Sequence, residues 1–160
     1  MARFTNFSFG ATSAIVTSLA LIVGLDSSAN PKLTIIGSLL LLAIADNISD
    51  SLGIHIYQES QLLSPNAIKV STFTNFITRL LITLSFVLLV IFLPLGYAII
   101  FSVVFGLLLL AIMSYFIAKY QKVNPYSAIF QHVGLAVLVI IMSHFLGNWI
   151  MGMFTRTSPA

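Results

Sequence analysis

The stretch that decides how this chain folds is residues 39–50, which read LLLLAIADNISD. The residues before Asp46 are apolar, as in a helix that crosses a membrane, yet Asp46 and Asp50 lie within the same segment. Insertion scales assign about 2.5–3.5 kcal/mol to each ionised Asp at the centre of a membrane helix. Residues i and i+4 share one helix face, so both carboxylates can reach one cation. The pair therefore indicates a site that binds a cation or protons.

The composition places the whole chain in a membrane. Of its 160 residues, 59% are hydrophobic and 7% are charged, and the mean hydropathy is +1.07. A soluble domain carries about 25% charged residues. The absence of cysteine excludes disulfides and thiolate metal ligands. The net charge of +3 comes from basic residues near segment ends, so it reports topology and does not indicate a nucleic-acid partner.

Apolar segments predict an all-α integral membrane protein with five transmembrane helices in one domain, residues 1–160. About 20 residues are needed to cross the hydrocarbon core. Pro31 and Pro125 suit helix starts, and Ser64-Pro65 predicts that the third helix begins near Pro65. The expected spans cover residues 10–25, 32–57, 74–94, 97–118 and 129–154.

The distribution of basic residues predicts a cytoplasmic N-terminus and an external C-terminus. With five spans, Lys32 and Arg156 fall on one side of the membrane and the other basic residues on the opposite side. Arg79 belongs to the larger group, and we expect its side chain to reach the interface from a helix end. The larger group comprises Arg3, Lys69, Arg79, Lys119 and Lys122.

Asp46 and Asp50 are the strongest candidates for metal ligands, with Asn47 and Ser49 as neutral oxygen donors. Carboxylate, amide and hydroxyl oxygens suit hard cations such as Mn²⁺ and also Fe²⁺. The alternative is a structural pair of buried acids that are protonated or hydrogen-bonded to neighbouring helices.

Other polar residues in the predicted helices have both functional and structural interpretations. His55 and Glu59 are candidates for an ion entry port, or are an interfacial and a solvated residue. Ser13 is a candidate for the ion path, or bonds a backbone carbonyl. His144 and Asn148 form an i, i+4 polar pair that predicts interhelical hydrogen bonding or a metal or proton role.

The second predicted helix resembles that of the vacuolar iron transporter family. The resemblance lies in residues 48–53, ISDSLG, in Glu59-Ser60, and in Gly24-Leu25 at the end of the first helix. It implies five transmembrane helices, a homodimer, and exchange of cytosolic Fe²⁺ or Mn²⁺ for protons along a path between the subunits. The chain looks like a short form without the family's cytosolic metal-binding insert.

Three departures from the family pattern bear on the expected cargo. Asp50 aligns with the family's metal-binding methionine, and Ser13 aligns with its membrane aspartate in helix 1. The acidic insert is reduced to residues 58–73, where Glu59 is the only acid. The resemblance therefore implies a harder ligand set and a different way of capturing metal from the cytosol.

We expect a proton-coupled Fe²⁺ or Mn²⁺ transporter rather than an enzyme, with the metal as cargo and no resident cofactor. The expected location is a prokaryotic plasma membrane, and the expected partners are lipid and a second copy of the chain. One alternative is a membrane enzyme whose Asp pair holds Mg²⁺ for a phospholipid-type substrate. The other is a non-transporting membrane assembly protein with structural aspartates.

Overall fold

The fold was examined in a computed structural model that describes the backbone of residues 2–156 and the side chains of residues 10–153. Every regular element in that part of the chain is helical, which confirms the all-α class. Arg3 and Arg156 lie outside the described side chains. The elements are α1 (Ala2–Gly24), α2 (Pro31–Leu41), a π-helical turn (Leu42–Asp46), α3 (Asn47–Ser60), α4 (Pro65–Phe92), α5 (Leu95–Gln121) and α6 (Pro125–Arg156).

Four helices are long and apolar enough to cross a membrane. One of them is the continuous rod Pro31–Ser60, which joins α2, the π turn and α3. The apolar part of α1 with described side chains, Gly10–Gly24, is shorter. The helices fit a membrane protein, while the five-span count and the sides of the termini stay predictions. The other three helices that are long and apolar enough to cross a membrane are Pro65–Phe92, Leu95–Gln121 and Pro125–Met153.

Prolines mark the helix starts, as the sequence predicts. Pro31 and Pro65 each occupy the first turn of their helix, where the missing N–H has no intrahelical partner to lose. Ser64 is the extended N-cap of α4, although its side chain makes no capping hydrogen bond. Helix α3 continues to Ser60 and α4 begins at Pro65, so the helix start expected near Pro65 is confirmed.

The π turn at Leu42–Asp46 separates two α-helical segments of the rod. A π turn widens the helix with i to i+5 hydrogen bonds, and such turns are frequent at functional sites. Because this one ends at Asp46, the chain from Asn47 onwards is α-helical again, and Asp50 follows Asp46 by about one α-helical turn. The two carboxylates therefore share a helix face as expected.

Helices α1 and α4 form the centre of the bundle. α1 packs against α4, α5 and α6, and α4 packs against α1, α2 and α3. Phe86 on α4 is fully buried and meets Phe105 on α5 edge-on, with ring centroids 5.5 Å apart. Large buried side chains from several helices complete this core, including Ile15, Leu19, Ile22, Ile35, Leu39, Val90 and Leu110.

Two glycines allow neighbouring helices to approach closely. A Cβ atom on Gly147 of α6 would overlap the carbonyl of Gly24 at the end of α1. A Cβ atom on Gly10 would overlap the side-chain oxygen of Asn75 on α4. Small residues at such crossings are typical of helix packing in membranes. These contacts set the relative heights of α1, α4 and α6.

Gly147→Ala is expected to destabilise the protein, because the new methyl group meets backbone that cannot turn away. Overpacking of this kind costs about 1–3 kcal/mol. Gly152→Ala on the same helix is the control, since its Cβ would have no neighbour within 4 Å. Thermal unfolding of both variants in detergent tests this. Equal midpoints would contradict the Gly24–Gly147 contact.

Candidate functional site

Arg79 is the residue that joins the two candidate aspartates. Its side chain is only 3% exposed. Its Nη2 donates to Asp46 Oδ2, and its Nη1 lies 2.8 Å from Asp50 Oδ2. The expectation that Arg79 reaches the interface is wrong, because α4 starts at Pro65 and Arg79 therefore lies in its middle. We call these three side chains the Asp–Arg–Asp centre.

The two carboxylates lie in front of the guanidinium, towards the surface of the bundle. The Asp46 side chain is 50% exposed and the Asp50 side chain is 29% exposed. The Arg79–Asp50 contact is an ion pair without hydrogen-bond geometry, and Arg79 Nε is buried without a hydrogen-bond partner. Two carboxyl groups face one guanidinium, so the formal net charge of the centre is −1. The centre is thus incompletely neutralised and open on one side.

Neutral polar side chains tie α3 to α4 between the centre and the α3–α4 connection. Interhelical hydrogen bonds of this kind hold membrane helices together and fix their rotation. They are Asn47 Nδ2 to the Phe76 carbonyl (2.9 Å), Asn75 Nδ2 to Ser51 Oγ (3.2 Å) and Gln58 Nε2 to Ser71 Oγ (2.6 Å). The polar face of α3 therefore turns towards α4, which brings Asp46 and Asp50 to Arg79.

The two predicted neutral ligands have different surroundings. Asn47 is buried, and its Nδ2 bonds the α4 backbone while its Oδ1 has no hydrogen-bond partner. Ser49 is exposed, and within the described part of the chain no hydrogen bond joins it to either carboxylate. The structure thus brings Asp46 and Asp50 together at Arg79, but it gives Asn47 a structural hydrogen bond and leaves Ser49 outside the ion pairs.

His55 and Glu59 line one cavity of about 400 Å³ at the α3–α4 connection. His55 Nδ1 also lies 3.2 Å from Thr72 Oγ1 on α4. Lys69 lines the same cavity, so the cavity wall carries one acidic side chain, one basic side chain and one imidazole. The cavity is compatible with an ion entry port, which stays a prediction.

Ser13 lies on α1 near the level of the centre. It is half-buried, and its backbone carbonyl accepts a hydrogen bond of 2.7 Å from Thr17 Oγ1. One turn earlier, a Cβ on Gly10 would lie 3.2 Å from Arg79 Cγ. α1 therefore closes the buried side of Arg79, and a role of Ser13 in an ion path stays a prediction.

His144 and Asn148 interact as the i, i+4 spacing predicts, and they gain two partners that the sequence did not indicate. Asn148 Nδ2 lies 3.1 Å from His144 Nε2, and His144 Nδ1 lies 3.7 Å from Asp26 Oδ2. Ser27 bonds both Asp26 and Asn148. Lys32 Nζ donates to the carbonyls of Ile91 (3.0 Å) and Leu93 (3.1 Å) at the end of α4.

Comparison with known proteins adds no assignment. No protein-family model matches the sequence, and a search of the curated proteins gives no match. The resemblance to the vacuolar iron transporter family therefore stays a prediction. Among the described residues, no three His, Cys, Asp or Glu side chains form a metal-ligand group. A cation at the Asp–Arg–Asp centre would have two carboxylates and must complete its coordination with neutral oxygens or water.

Arg79→Gln is expected to lower the free energy of unfolding by about 3 kcal/mol, because it leaves two carboxylates without their buried partner. The half-exposed Asp46 places the loss at the low end of the usual range. The triple variant D46N/D50N/R79Q, which removes all three charges, should recover most of that stability. Lys69→Gln on an exposed part of α4 is the control. An Arg79→Gln variant that is as stable as the Lys69→Gln control would contradict the ion pairs.

Proposed function

We propose that this chain is a proton-coupled membrane transporter of a divalent metal ion, Fe²⁺ or Mn²⁺, and that Asp46 and Asp50 bind the ion. The observation that carries the proposal is the Asp–Arg–Asp centre, whose aspartates and arginine lie on two neighbouring helices that are each long and apolar enough to cross a membrane. Ionisable side chains within membrane segments typically mark ion pathways and proton relays.

The oxygen atoms of the carboxylates support cation binding. Arg79 contacts Oδ2 of both Asp46 and Asp50. The ion would approach the Oδ1 atoms from the exposed side, where Arg79 does not reach. Carboxylate oxygens suit Mn²⁺ and Fe²⁺, and the net charge of −1 attracts a cation.

Arg79 would act as a built-in counter-ion for the metal-free state. A guanidinium keeps two carboxylates paired when no cargo is bound, so the empty transporter does not expose unpaired acids to an apolar environment. An arriving divalent cation repels the guanidinium and competes for the carboxylates. Protonation of Asp46 and Asp50 removes the negative charge that holds the metal, which couples metal release to proton uptake.

A second copy of the chain would cover the exposed face of the rod. Asp46 is half-exposed, and a charged side chain does not stably face hydrocarbon. A homodimer whose subunits meet over the exposed side of the rod would enclose the ion path between two Asp–Arg–Asp centres. The exposed side of the rod also carries the apolar residues Ile44, Ile48 and Leu52, which share one helix face.

The topology of the proposed transporter is the one that the sequence predicts. It has five spans with a cytoplasmic N-terminus, in the plasma membrane of a prokaryote. With this orientation the cavity that His55 and Glu59 line opens at the cytoplasmic end of the rod. It would admit metal towards Asp50, one to two turns away along α3.

Arg79 also favours a second candidate function. A guanidinium that already neutralises one carboxylate charge is what a purely structural membrane protein would use to fix α3 against α4. In that case the chain would bind no cargo and would serve assembly. The exposure of Asp46 and the net charge of the centre favour transport, and the two candidates differ in their metal flux.

Proteoliposomes containing the purified chain should take up Mn²⁺ or Fe²⁺ under an imposed pH gradient, and Mg²⁺ much less, because Mg²⁺ loses its water reluctantly. Asp50→Asn and Asp46→Asn should each reduce the uptake rate by at least tenfold, since each removes a charged ligand. Uptake is measured with a metal-sensitive dye inside the vesicles.

Glu59→Gln is the matched carboxylate control, because Glu59 lines the proposed port and is not a ligand of the centre. It should transport normally at saturating metal. Folded wild-type protein that moves none of the three ions would rule out the transporter and leave the structural role. Uptake that persists in both Asp variants would show that the ion does not bind at Asp46 and Asp50.

The proposed homodimer can be tested with single cysteines, because the chain has none of its own. Leu52→Cys on the exposed face of α3 should form a disulfide-linked dimer in membranes under mild oxidation. Phe130→Cys, at a more exposed position on α6, should remain monomeric. Cross-linking is read on a non-reducing gel. The reverse pattern would move the interface to α6.

A further inference from the structure

A second polar cluster lies far from the Asp–Arg–Asp centre, where the end of α1 meets α6. Asp26 and Ser27 follow α1, and His144 and Asn148 lie one turn apart on α6. Their side chains form a closed ring: Asp26 Oδ1 to Ser27 Oγ (3.0 Å), Ser27 Oγ to Asn148 Oδ1, Asn148 Nδ2 to His144 Nε2 (3.1 Å), and His144 Nδ1 to Asp26 Oδ2 (3.7 Å).

The close backbone contact of Gly24 with Gly147 brings the two halves of this ring together. Gly147 lies between His144 and Asn148, and its α-carbon faces the carbonyl of Gly24 directly. α1 and α6 therefore approach at the level of the ring and hold its two halves together. From Gly10, beside Arg79, to Gly24 the helix rises about 21 Å at 1.5 Å per residue. The ring and the Asp–Arg–Asp centre thus lie at different depths.

The widest gap in the ring has the dimensions of a metal site. His144 Nδ1 and Asp26 Oδ2 are 3.7 Å apart, which is too long for a direct hydrogen bond. Two ligand atoms about 2.1 Å from one tetrahedral metal ion lie about 3.4 Å apart. Both side chains are reachable from solvent, since His144 is 47% and Asp26 is 23% exposed. An ion fits between them after a shift of a few tenths of an ångström.

The remaining members of the ring orient these two ligands. A metal on His144 Nδ1 requires a hydrogen on Nε2, which a half-turn of the Asn148 amide allows Oδ1 to accept. The Asn148 N–H then donates to Ser27 Oγ, and the Ser27 hydroxyl donates to Asp26 Oδ1. Each hydrogen bond of the ring then joins one donor to one acceptor. Such outer hydrogen bonds are how proteins fix metal-binding histidines.

We infer that Asp26 and His144 form a binding site for a divalent transition-metal ion such as Zn²⁺ or Mn²⁺, with Ser27 and Asn148 orienting the ligands and water completing the coordination. Imidazole with carboxylate is a donor set for borderline cations. The site is separate from Asp46 and Asp50, and the inference does not rest on the proposed transport.

The charged and titratable groups nearest this site favour a cation. Asp26, on the connection to α2, faces His144. Lys32, the described cation closest in sequence, donates to carbonyls at the end of α4. On α6 itself, His132 pairs with Ser114 of α5 at 2.9 Å, three turns away from His144. The first turn of α5 carries Tyr97, which is exposed.

Histidine NMR on the full chain in detergent tests the inference, because the chain has only three histidines. His144→Gln identifies the His144 signals of ¹⁵N-histidine-labelled protein. Zn²⁺ alone should shift those signals, and Mn²⁺ alone should broaden them, while His132 remains unchanged. Asp26→Asn should raise the Zn²⁺ concentration needed by at least tenfold, as expected for loss of a charged ligand.

Ser27→Ala is the second variant and should weaken Zn²⁺ binding about tenfold, as outer-shell changes do. Ser27→Ala also carries the test if the Asp26→Asn variant does not fold. If millimolar Zn²⁺ and Mn²⁺ leave the His144 signals unchanged, the inference is overturned. If folded Asp26→Asn and Ser27→Ala bind Zn²⁺ as tightly as the wild type, the inference is also overturned, because His144 then binds Zn²⁺ as a lone surface histidine. These signals report on His144 alone, so the result is independent of metal uptake through Asp46 and Asp50.

Discussion

The ion pairs of Arg79 with Asp46 and Asp50 are the constraint on which the rest of the structure depends. None of the three charges is tolerable alone within an apolar bundle, and together they persist only if α3 and α4 keep one rotation and one relative height. The hydrogen bonds of Asn47 and Asn75 maintain that rotation on the buried side. Gly10 allows α1 to close over the same region. The helix packing and the candidate site are therefore one arrangement.

The same centre explains why a metal-free transporter could be stable. Arg79 neutralises one carboxylate charge from behind, while the exposed side of Asp46 remains reachable. The ring at Asp26 and His144 differs from this centre, because an imidazole there faces a single carboxylate. The two proposed sites would thus offer a metal ion different chemistry: paired carboxylates at one depth, and mixed nitrogen and oxygen ligands at another.

The sequence predicted what lies within single helices and missed much of what lies between them. The all-α class, the helix start at Pro65 and the shared face of Asp46 and Asp50 follow from local patterns, and the structure agrees. Arg79 was misjudged because hydropathy placed the start of its span at residue 74, although Ser64-Pro65 already indicated an earlier start. The fold also brings Asp26 to His144, a contact that periodicity does not encode.

The most direct test is whether a metal ion binds beside Arg79. The chain has three arginines, so ¹⁵N-arginine labelling gives few guanidinium signals to assign. Mn²⁺ at concentrations that drive uptake should broaden the Arg79 signal selectively, because the ion would lie on the carboxylates that Arg79 contacts. The D46N/D50N variant should lose that broadening. An Arg79 signal that stays sharp in wild-type protein while Mn²⁺ is transported would contradict the account.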